Sequence, residues 1–375
     1  MKILFTGGGS GGHFFPIIAV AEALNRIVAA EKLLPPKLYY MSDEPYDERA
    51  LFEQGITYLP TNAGRIRRYF SLMNVVDAVK TALGVMRATL RLFSLYPDVV
   101  FGKGAYPSFP ALFAARLLGI PVIIHESDSE PGRVNRWAGK FAKRVAVSYP
   151  DAAQYFDSSK VAFTGNPIRK DIATPAAEGG REFLKLEEGT PVILIMGGSS
   201  GAQVINDAVL DALPRLLNSY QIIHQTGVKN FDDVTKTAAG ILHNHPHKDR
   251  YRPYAFLNVL ALRMAAGVAD LVVSRAGSTL FEIAAWGTPA IVIPIPESIS
   301  HDQTKNAFSY ARSGAATVIE QRNLTPVILE SEIERILGDS AKREAMSKAA
   351  KAFAKKDAAE TIAREILALA LAHER

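Results

Sequence analysis

Two glycine-rich turns, each leaving a short apolar run, hold the densest chemistry in the chain. The first reads Gly8-Gly9-Ser10-Gly11-Gly12-His13, followed by Phe14, Phe15 and Pro16. Glycines let the backbone approach a ligand and turn successive N–H groups toward an anion or a developing negative charge. A helix that follows adds the positive end of its dipole. His13, at the mouth of the turn, can take a proton from an attacking hydroxyl; a structural histidine fits the same position. Pro16 reads as the start of the helix. No Gly-Lys-Ser/Thr follows, so this is not a Walker A loop.

The second turn, Gly197-Gly198-Ser199-Ser200-Gly201-Ala202-Gln203, repeats this physics, with Ser199 offering a hydroxyl donor to a diphosphate. Asn206 beyond it reads as a cap or packing residue. A third motif, from Arg275 through Ala276, Gly277, Ser278 and Thr279 to Glu282, again leaves a strand and enters a helix. Its carboxylate can accept both hydroxyls of a ribose or simply favour the helix dipole. In His301-Asp302-Gln303-Thr304-Lys305-Asn306, Gln303 and Asn306 share a helical face. Paired amides both donate to and accept from sugar hydroxyls, and a solvent-facing turn has the same look. Finally, His125-Glu126-Ser127-Asp128, with Asn135 a helical stretch later, offers carboxylates and an amide for an acceptor sugar. His243, His245 and His247 alternate around Pro246, which reads as a loop, and no metal site is assigned. No Asp-x-Asp follows a strand, so the leaving-group charge is expected to fall to backbone N–H groups, a helix end and an arginine.

Short apolar runs must position these groups. Residues 2–5, 37–41, 98–101, 122–125 and 144–147 read as one series of strands. Residues 192–196, 221–225, 271–274 and 290–294 form a second, with helices between. Residues 16–28 predict the first helix. The series restarts after Thr164-Gly165-Asn166-Pro167, which places a domain boundary there. The fold class is α/β: two doubly wound, Rossmann-like domains, residues 1–164 and 165–352. A helix of about residues 353–375 packs back on the first. Ligands of such sheets bind at the carboxyl ends of the strands, so a cleft between facing domains is the expected site.

The 375 residues, 48% hydrophobic and 22% charged, suit two globular domains. With no cysteine, disulfides and thiolate chemistry are excluded. A net charge of +5 fits an anionic ligand or membrane surface. Residues 1–7 are too short and too soon broken by glycine for a signal peptide. No apolar run comes near the roughly 20 residues of a membrane span, so membrane contact is expected to be peripheral. Ile66, Arg67, Arg68, Tyr69, Phe70, Leu72 and Met73 mix cations with large apolar groups, the physics of interfacial binding. The stripe Val76, Val79, Leu83, Met86 and Leu90, flanked by Lys80, Arg87 and Arg91, reads instead as a helix face covered by the domain core.

Together and in this order, these motifs resemble the MurG family of glycosyltransferases, which adopt the GT-B fold. The likeness is strongest over residues 8–16, 102–110, 119–126, 165–169, 197–202, 275–282 and 303–307. It implies transfer of N-acetylglucosamine from UDP-GlcNAc to the 4-hydroxyl of MurNAc in undecaprenyl-pyrophosphoryl-MurNAc-pentapeptide (lipid I to lipid II), with inversion. The implied place of work is the cytoplasmic face of the plasma membrane, with no cofactor and no nucleic acid. Other cell-wall synthesis proteins are further partners the family suggests. His13 and Glu126 would be catalytic. UDP-GlcNAc would be bound by Ser10, Gly11, Gly12, Asn135, Arg169, Ser199, Leu257, Ser278, Thr279, Glu282, Gln303 and Asn306. Glu282 would hold the ribose, Arg169 and Ser199 the diphosphate, Gln303 and Asn306 the sugar, and the Leu257 segment uracil. Tyr106 and Asp128 would lie on the acceptor side, with Glu126 and Asn135. The sequence departs from the family pattern in four places. Asp128 stands where Asn is expected, Ser200 where Gln is common and Gln203 where Arg is common. The stretch 277–282 is one residue short. Rival readings are another UDP-sugar transferase, a UDP-GlcNAc epimerase, a dinucleotide oxidoreductase and a non-catalytic scaffold.

Overall fold

The computed structural model describes residues 1–64, 73–197, 202–296 and 303–373. These divide into two compact units, Met1–Arg169 with Lys355–Arg375, and Lys170–Ala354.

The first unit is built on seven parallel strands: β1 (Lys2–Thr6), β2 (Lys37–Ser42), β3 (Ile56–Pro60), β4 (Val99–Gly102), β5 (Val122–Glu126), β6 (Arg144–Val147) and β7 (Val161–Phe163). Their order across the sheet is β3-β2-β1-β4-β5-β6-β7. Because side chains alternate along a strand, each inner strand feeds two cores. Ile3, Phe5, Val99, Phe101 and Ile123 face one side, where helices Gly11–Ala30 and Ala358–His373 cover them. Leu4, Val100, Val122 and Ile124 face the other, against helix Phe109–Leu117 and residues Ala88 and Leu92. Burial on both faces is why these strands are continuous apolar runs.

The second unit repeats the design with β8 (Val192–Met196), β9 (Gln221–Gln225), β10 (Tyr251–Tyr254), β11 (Leu271–Ser274), β12 (Ala290–Val292) and β13 (Ala316–Val318), in the order β10-β9-β8-β11-β12-β13. Helices Gln203–Leu216 and Pro326–Leu337 close one face over Ile193, Ile195, Val273 and Ile291. In each unit the strand order reverses beside the first strand, which makes a switch point between β1 and β4 and another between β8 and β11.

Three sequence expectations change here. The first helix starts at Gly11, so Pro16 lies inside it rather than at its first position. A proline there removes the N–H that would bond the Gly12 carbonyl. At 20 residues and a mean hydropathy of 1.3, this helix is long and apolar enough to cross a membrane, contrary to the run-length reading. Yet 61% of its most apolar window is buried, as befits the central helix of the sheet.

The third change concerns the helix Met73–Leu95, whose stripe was expected to be core. Val76 is 45% exposed, Val79 57%, Leu83 43%, Met86 53% and Leu90 65%, with Val75 and Phe93 exposed beside them. The helix packs instead through a face of Asp77, Gly84, Ala88 and Leu92. Small residues let that face come close to its neighbours, and the bulky side chains are left outside. Met73 is also exposed, while Ile66, Arg67, Arg68, Tyr69, Phe70 and Leu72 lie outside the described residues.

Candidate functional site

At the first unit's switch point, the chain leaves β1 through Gly8 and Gly9, with φ of 149° and 75°. A Cβ on Gly8 would meet Ser42 Oγ at 2.5 Å, so the turn has no room for a side chain there. Tyr40 donates its hydroxyl to the Gly7 carbonyl at 2.7 Å and pins the turn from below. Ser10 then caps the helix through its carbonyl, which accepts from the N–H groups of His13 and Phe14. Its side chain makes no cap bond, and Ser10 Oγ lies 2.8 Å from His13 Nδ1. When Nδ1–H donates to Ser10, Nε2 is the proton acceptor, the tautomer a general base needs. Gly11, Gly12 and His13 are all half-buried. Arg169 closes the group: its guanidinium carbon sits 4.4 Å over the Phe15 ring. The arginine expected at the diphosphate thus belongs to the first unit and is held beside the first glycine turn.

The loop after β4 supplies the other half. Gly104 has φ 88°, and a Cβ on it would come within 2.7 Å of Asn135 Nδ2. Ala105 follows at φ 62° and ψ 167°, a region L-residues rarely occupy. Ser108 holds this bend by donating its hydroxyl to the Ala105 carbonyl at 2.8 Å. Tyr106 is thereby turned toward the end of β2, where its hydroxyl donates to Asp43 Oδ2 at 2.9 Å.

Glu126 ends β5 and is 4% exposed. Its Oε1 accepts from Asp128 N at 2.9 Å, and its Oε2 from Gly132 N at 3.1 Å and Asn135 Nδ2 at 3.0 Å. Burial pushes its pKa up, with Asp128 adding to the effect. Asn135 also donates to the His125 carbonyl at 3.0 Å. Expected to be catalytic, Glu126 here spends both oxygens folding the loop that carries half-buried Asp128. His125 is fully buried, with Nε2 3.1 Å from the Gly165 carbonyl and 3.2 Å from Ser148 Oγ. Desolvation, helped by nearby Lys103, holds it well below the ordinary histidine range, so it is neutral.

The second unit's switch point is made differently. Ser199 and Ser200 lie outside the described residues. Gln203 begins the following helix, its amide donating to Asp207 Oδ1 at 2.6 Å. Asn206 is buried: it donates to the Thr226 carbonyl and meets His224 Nε2 at 3.0 Å, a packing residue as read. Burial lowers His224 to about 3. After β11, Arg275 Nη1 donates to the carbonyls of Ile293 and Pro294 at 3.1 and 3.4 Å. Partial burial brings its pKa down to about 10. Ser278 and Thr279 start helix Thr279–Trp286, which places half-buried Glu282 in its first turn. Gln303 exchanges bonds with Ile295, and its Nε2 lies against Gly277, 3.6 Å from where a Cβ would stand. Asn306 donates to the Ala276 carbonyl at 3.3 Å. The two amides and the 275–282 loop therefore form one cluster. Leu257 is buried and its N–H already donates to Gln225 Oε1 at 3.0 Å, so reading a base through that N–H requires Gln225 to yield. His245 is tied to the Pro214 carbonyl and the His247 N–H, as a loop residue.

Residues 3–147 match the glycosyltransferase family 28 N-terminal domain, and residues 192–362 the family 28 C-terminal domain. A UDP-N-acetylglucosamine–N-acetylmuramyl-(pentapeptide) pyrophosphoryl-undecaprenol N-acetylglucosamine transferase from Treponema denticola is 36% identical over 99% of this chain and 96% of its own length. The chain belongs to the MurG family. The crystal structure of Acinetobacter baumannii MurG shares the fold at TM-score 0.73 and 25% identity, covering 98% of this chain and 99% of that one. A UDP-GlcNAc 2-epimerase from Neisseria meningitidis shares the architecture at TM-score 0.67 but only 17% identity, over 98% of this chain and 100% of its own. The epimerase likeness is one of GT-B fold alone.

Sequence reading gave no role to Lys103, Asp43, Phe15 and Gln225. Lys103 had a signal, a lone charge between Gly102 and Gly104 at the end of an apolar run. The others become visible only through their partners in space.

Proposed function

We infer that this chain is an inverting hexosyltransferase that moves N-acetylglucosamine from UDP-GlcNAc to the MurNAc 4-hydroxyl of lipid I, giving lipid II and UDP. The substrates follow from membership of the family, at 36% identity along nearly the whole chain. The observation that carries the mechanism is the Ser10–His13 pair at the head of the first helix, 2.8 Å apart.

The acceptor oxygen attacks the anomeric carbon as the bond from that carbon to the β-phosphate oxygen breaks. The electron pair leaves with UDP, and the hydroxyl proton passes to His13 Nε2. With Nδ1–H donating to Ser10 Oγ the imidazole presents Nε2 as acceptor, and Arg169, stacked on Phe15, meets phosphate charge. Glu282 takes the ribose hydroxyls, Gln303 and Asn306 the sugar, and Ser199 and its turn the diphosphate. Ser278 and Thr279 set the start of the Glu282 helix. Glu126 and Asn135 act by holding loop 127–132 and presenting Asp128, and Tyr106 lines the same acceptor face.

The lipid-linked acceptor also calls for an interface with the bilayer. The exposed stripe of helix Met73–Leu95 supports peripheral docking, with Lys80, Arg87 and Arg91 suited to anionic headgroups. The test is transfer of labelled GlcNAc to a lipid I analogue. A β-1,4-linked product supports the reading. Hydrolysis or isomerisation of UDP-GlcNAc without lipid would replace it with the epimerase.

A further inference from the structure

The acceptor face of the first unit rests on a charge that the mechanism above does not use. Lys103 follows β4 directly and is 1% exposed. Its Nζ has no hydrogen-bonding partner among the described residues. Burying an ammonium without such partners is costly unless nearby charge compensates it, so its surroundings are informative. The Lys103 N–H donates to the Thr6 carbonyl at 2.8 Å, which locks the end of β4 to β1. A Cβ on Gly7 would stand 2.9 Å from Lys103 Cβ, so the side chain departs close beside the first glycine turn. The neighbouring strand β5 ends in His125 and Glu126, and Asp128 follows in the loop. His125 is neutral and bonded to the Gly165 carbonyl, and His13 acts on it from beyond. The charges that compensate Lys103 are Glu126 and Asp128.

We propose that Lys103 is a positioning residue for the acceptor: its buried ammonium is the counter-charge that lets this chain carry a carboxylate at position 128 beside buried Glu126, and through Glu126 it holds loop 127–132. The proposal rests on the acceptor reading above and accounts for the departure at position 128, where the family pattern leads one to expect Asn. Glu126 folds the loop by accepting from two backbone N–H groups and the Asn135 amide, and those bonds are strongest to an ionised carboxylate. Asn135 is in turn seated against Gly104, the residue after Lys103. Burial brings the Lys103 ammonium down to about 8 while Glu126 and Asp128 oppose the fall, so the cation is present at neutral pH and is lost just above it.

The experiment compares Lys103→Met, Lys103→Arg, Glu126→Gln and the double variant Lys103→Met/Glu126→Gln in transfer to a lipid I analogue. Lys103→Met should raise acceptor KM by about 10-fold or more while KM for UDP-GlcNAc holds, since a misplaced loop spoils acceptor alignment alone. The unmodified chain should lose acceptor kcat/KM as pH rises through about 8. Lys103→Arg, which keeps its charge, should move that decline upward. The double variant should be no worse than Lys103→Met, because both act through one carboxylate. Unchanged acceptor KM in Lys103→Met, or effects of the two single changes that multiply, would overturn the proposal. Should Lys103→Met fail to fold, as judged by UDP binding and circular dichroism, Lys103→Arg decides: decline at the same pH as the unmodified chain sinks the idea. Absence of any transfer by the unmodified chain would sink the acceptor reading itself, and the proposal with it.

Discussion

The two switch points use the same frame for different chemistry. Thr6 pairs with Gly102 in the first sheet as Met196 pairs with Ser274 in the second, so Lys103 and Arg275 are topological counterparts. Both are cations directly after a strand end. Arg275 donates to two carbonyls and ties the ends of β11 and β12 together. Lys103 has no such bond among the described residues and balances carboxylates instead. The first unit gathers titratable groups at this point: His13, Glu126, Asp128 and Lys103. Among the described residues, the second gathers amides, hydroxyls and backbone, with Glu282 as the carboxylate of its cluster. Proton removal needs groups whose charge can change, whereas holding a nucleotide sugar needs donors and acceptors that stay fixed. The difference follows from the work each unit is inferred to do.

The largest expected effect tests the proton side of this contrast. His13→Ala should lower kcat by about 100- to 10,000-fold, the usual worth of general base catalysis, with KM for UDP-GlcNAc little changed. Ser10→Ala should produce a milder version, because it loses only the hydrogen bond that orients the imidazole. A His13→Ala enzyme with near-normal kcat would remove the base from the first unit and break the comparison. On the other side, Glu282→Ala should weaken UDP binding by about 10- to 100-fold through two lost hydrogen bonds to a charged acceptor, measured by calorimetry. Donor affinity unmoved by this change would mean that the carboxylate serves the helix dipole alone.

How much of this was legible depended on burial. The inner strands β1, β2, β4, β5, β6, β8, β9, β11 and β12 were visible as apolar runs because both faces are covered. Their neighbours β3, β7, β10 and β13 were not, and all four are sheet edges. Ile56–Pro60, Val161–Phe163, Tyr251–Tyr254 and Ala316–Val318 are each only partly buried, so nothing in them demands a continuous apolar run. The site motifs could be read because glycine turns and helix starts are local. The bonds that tie Glu126 to the Gly132 N–H and to Asn135 could not be read in advance, because both partners come from a fold of the following loop. The stripe on helix Met73–Leu95 was assigned to the core because periodicity marks an apolar face without saying what covers it. That face is open to a direct test. Leu83→Glu with Met86→Glu should reduce binding to anionic vesicles by about 10-fold, by loss of apolar insertion and added repulsion. Transfer to a short-chain acceptor in detergent should be unaffected. Unchanged vesicle binding would assign the stripe to another partner.

The smallest expected effect bears on the backbone itself. Ala105 and Gly277 are counterparts in the two switch-point loops, yet the alanine is the one held at φ 62° and ψ 167°, where glycine alone is at ease. Ser108 fixes the bend from inside, and the bend turns Tyr106 to Asp43. Ala105→Gly relieves the strain but also loosens the unfolded chain, and the relief outweighs the loosening. It should therefore stabilise the first unit by about 1 kcal/mol, read as a shift in urea midpoint at constant m. If the strain only tolerates the loop, acceptor KM stays the same. If Ala105 stiffens the approach to Tyr106, the variant gains stability and loses acceptor affinity together, and the first switch point differs from the second in backbone rigidity as well as in charge. A destabilised Ala105→Gly would show that the alanine's packing and limited freedom outweigh its strain, and would leave charge as the whole of the contrast.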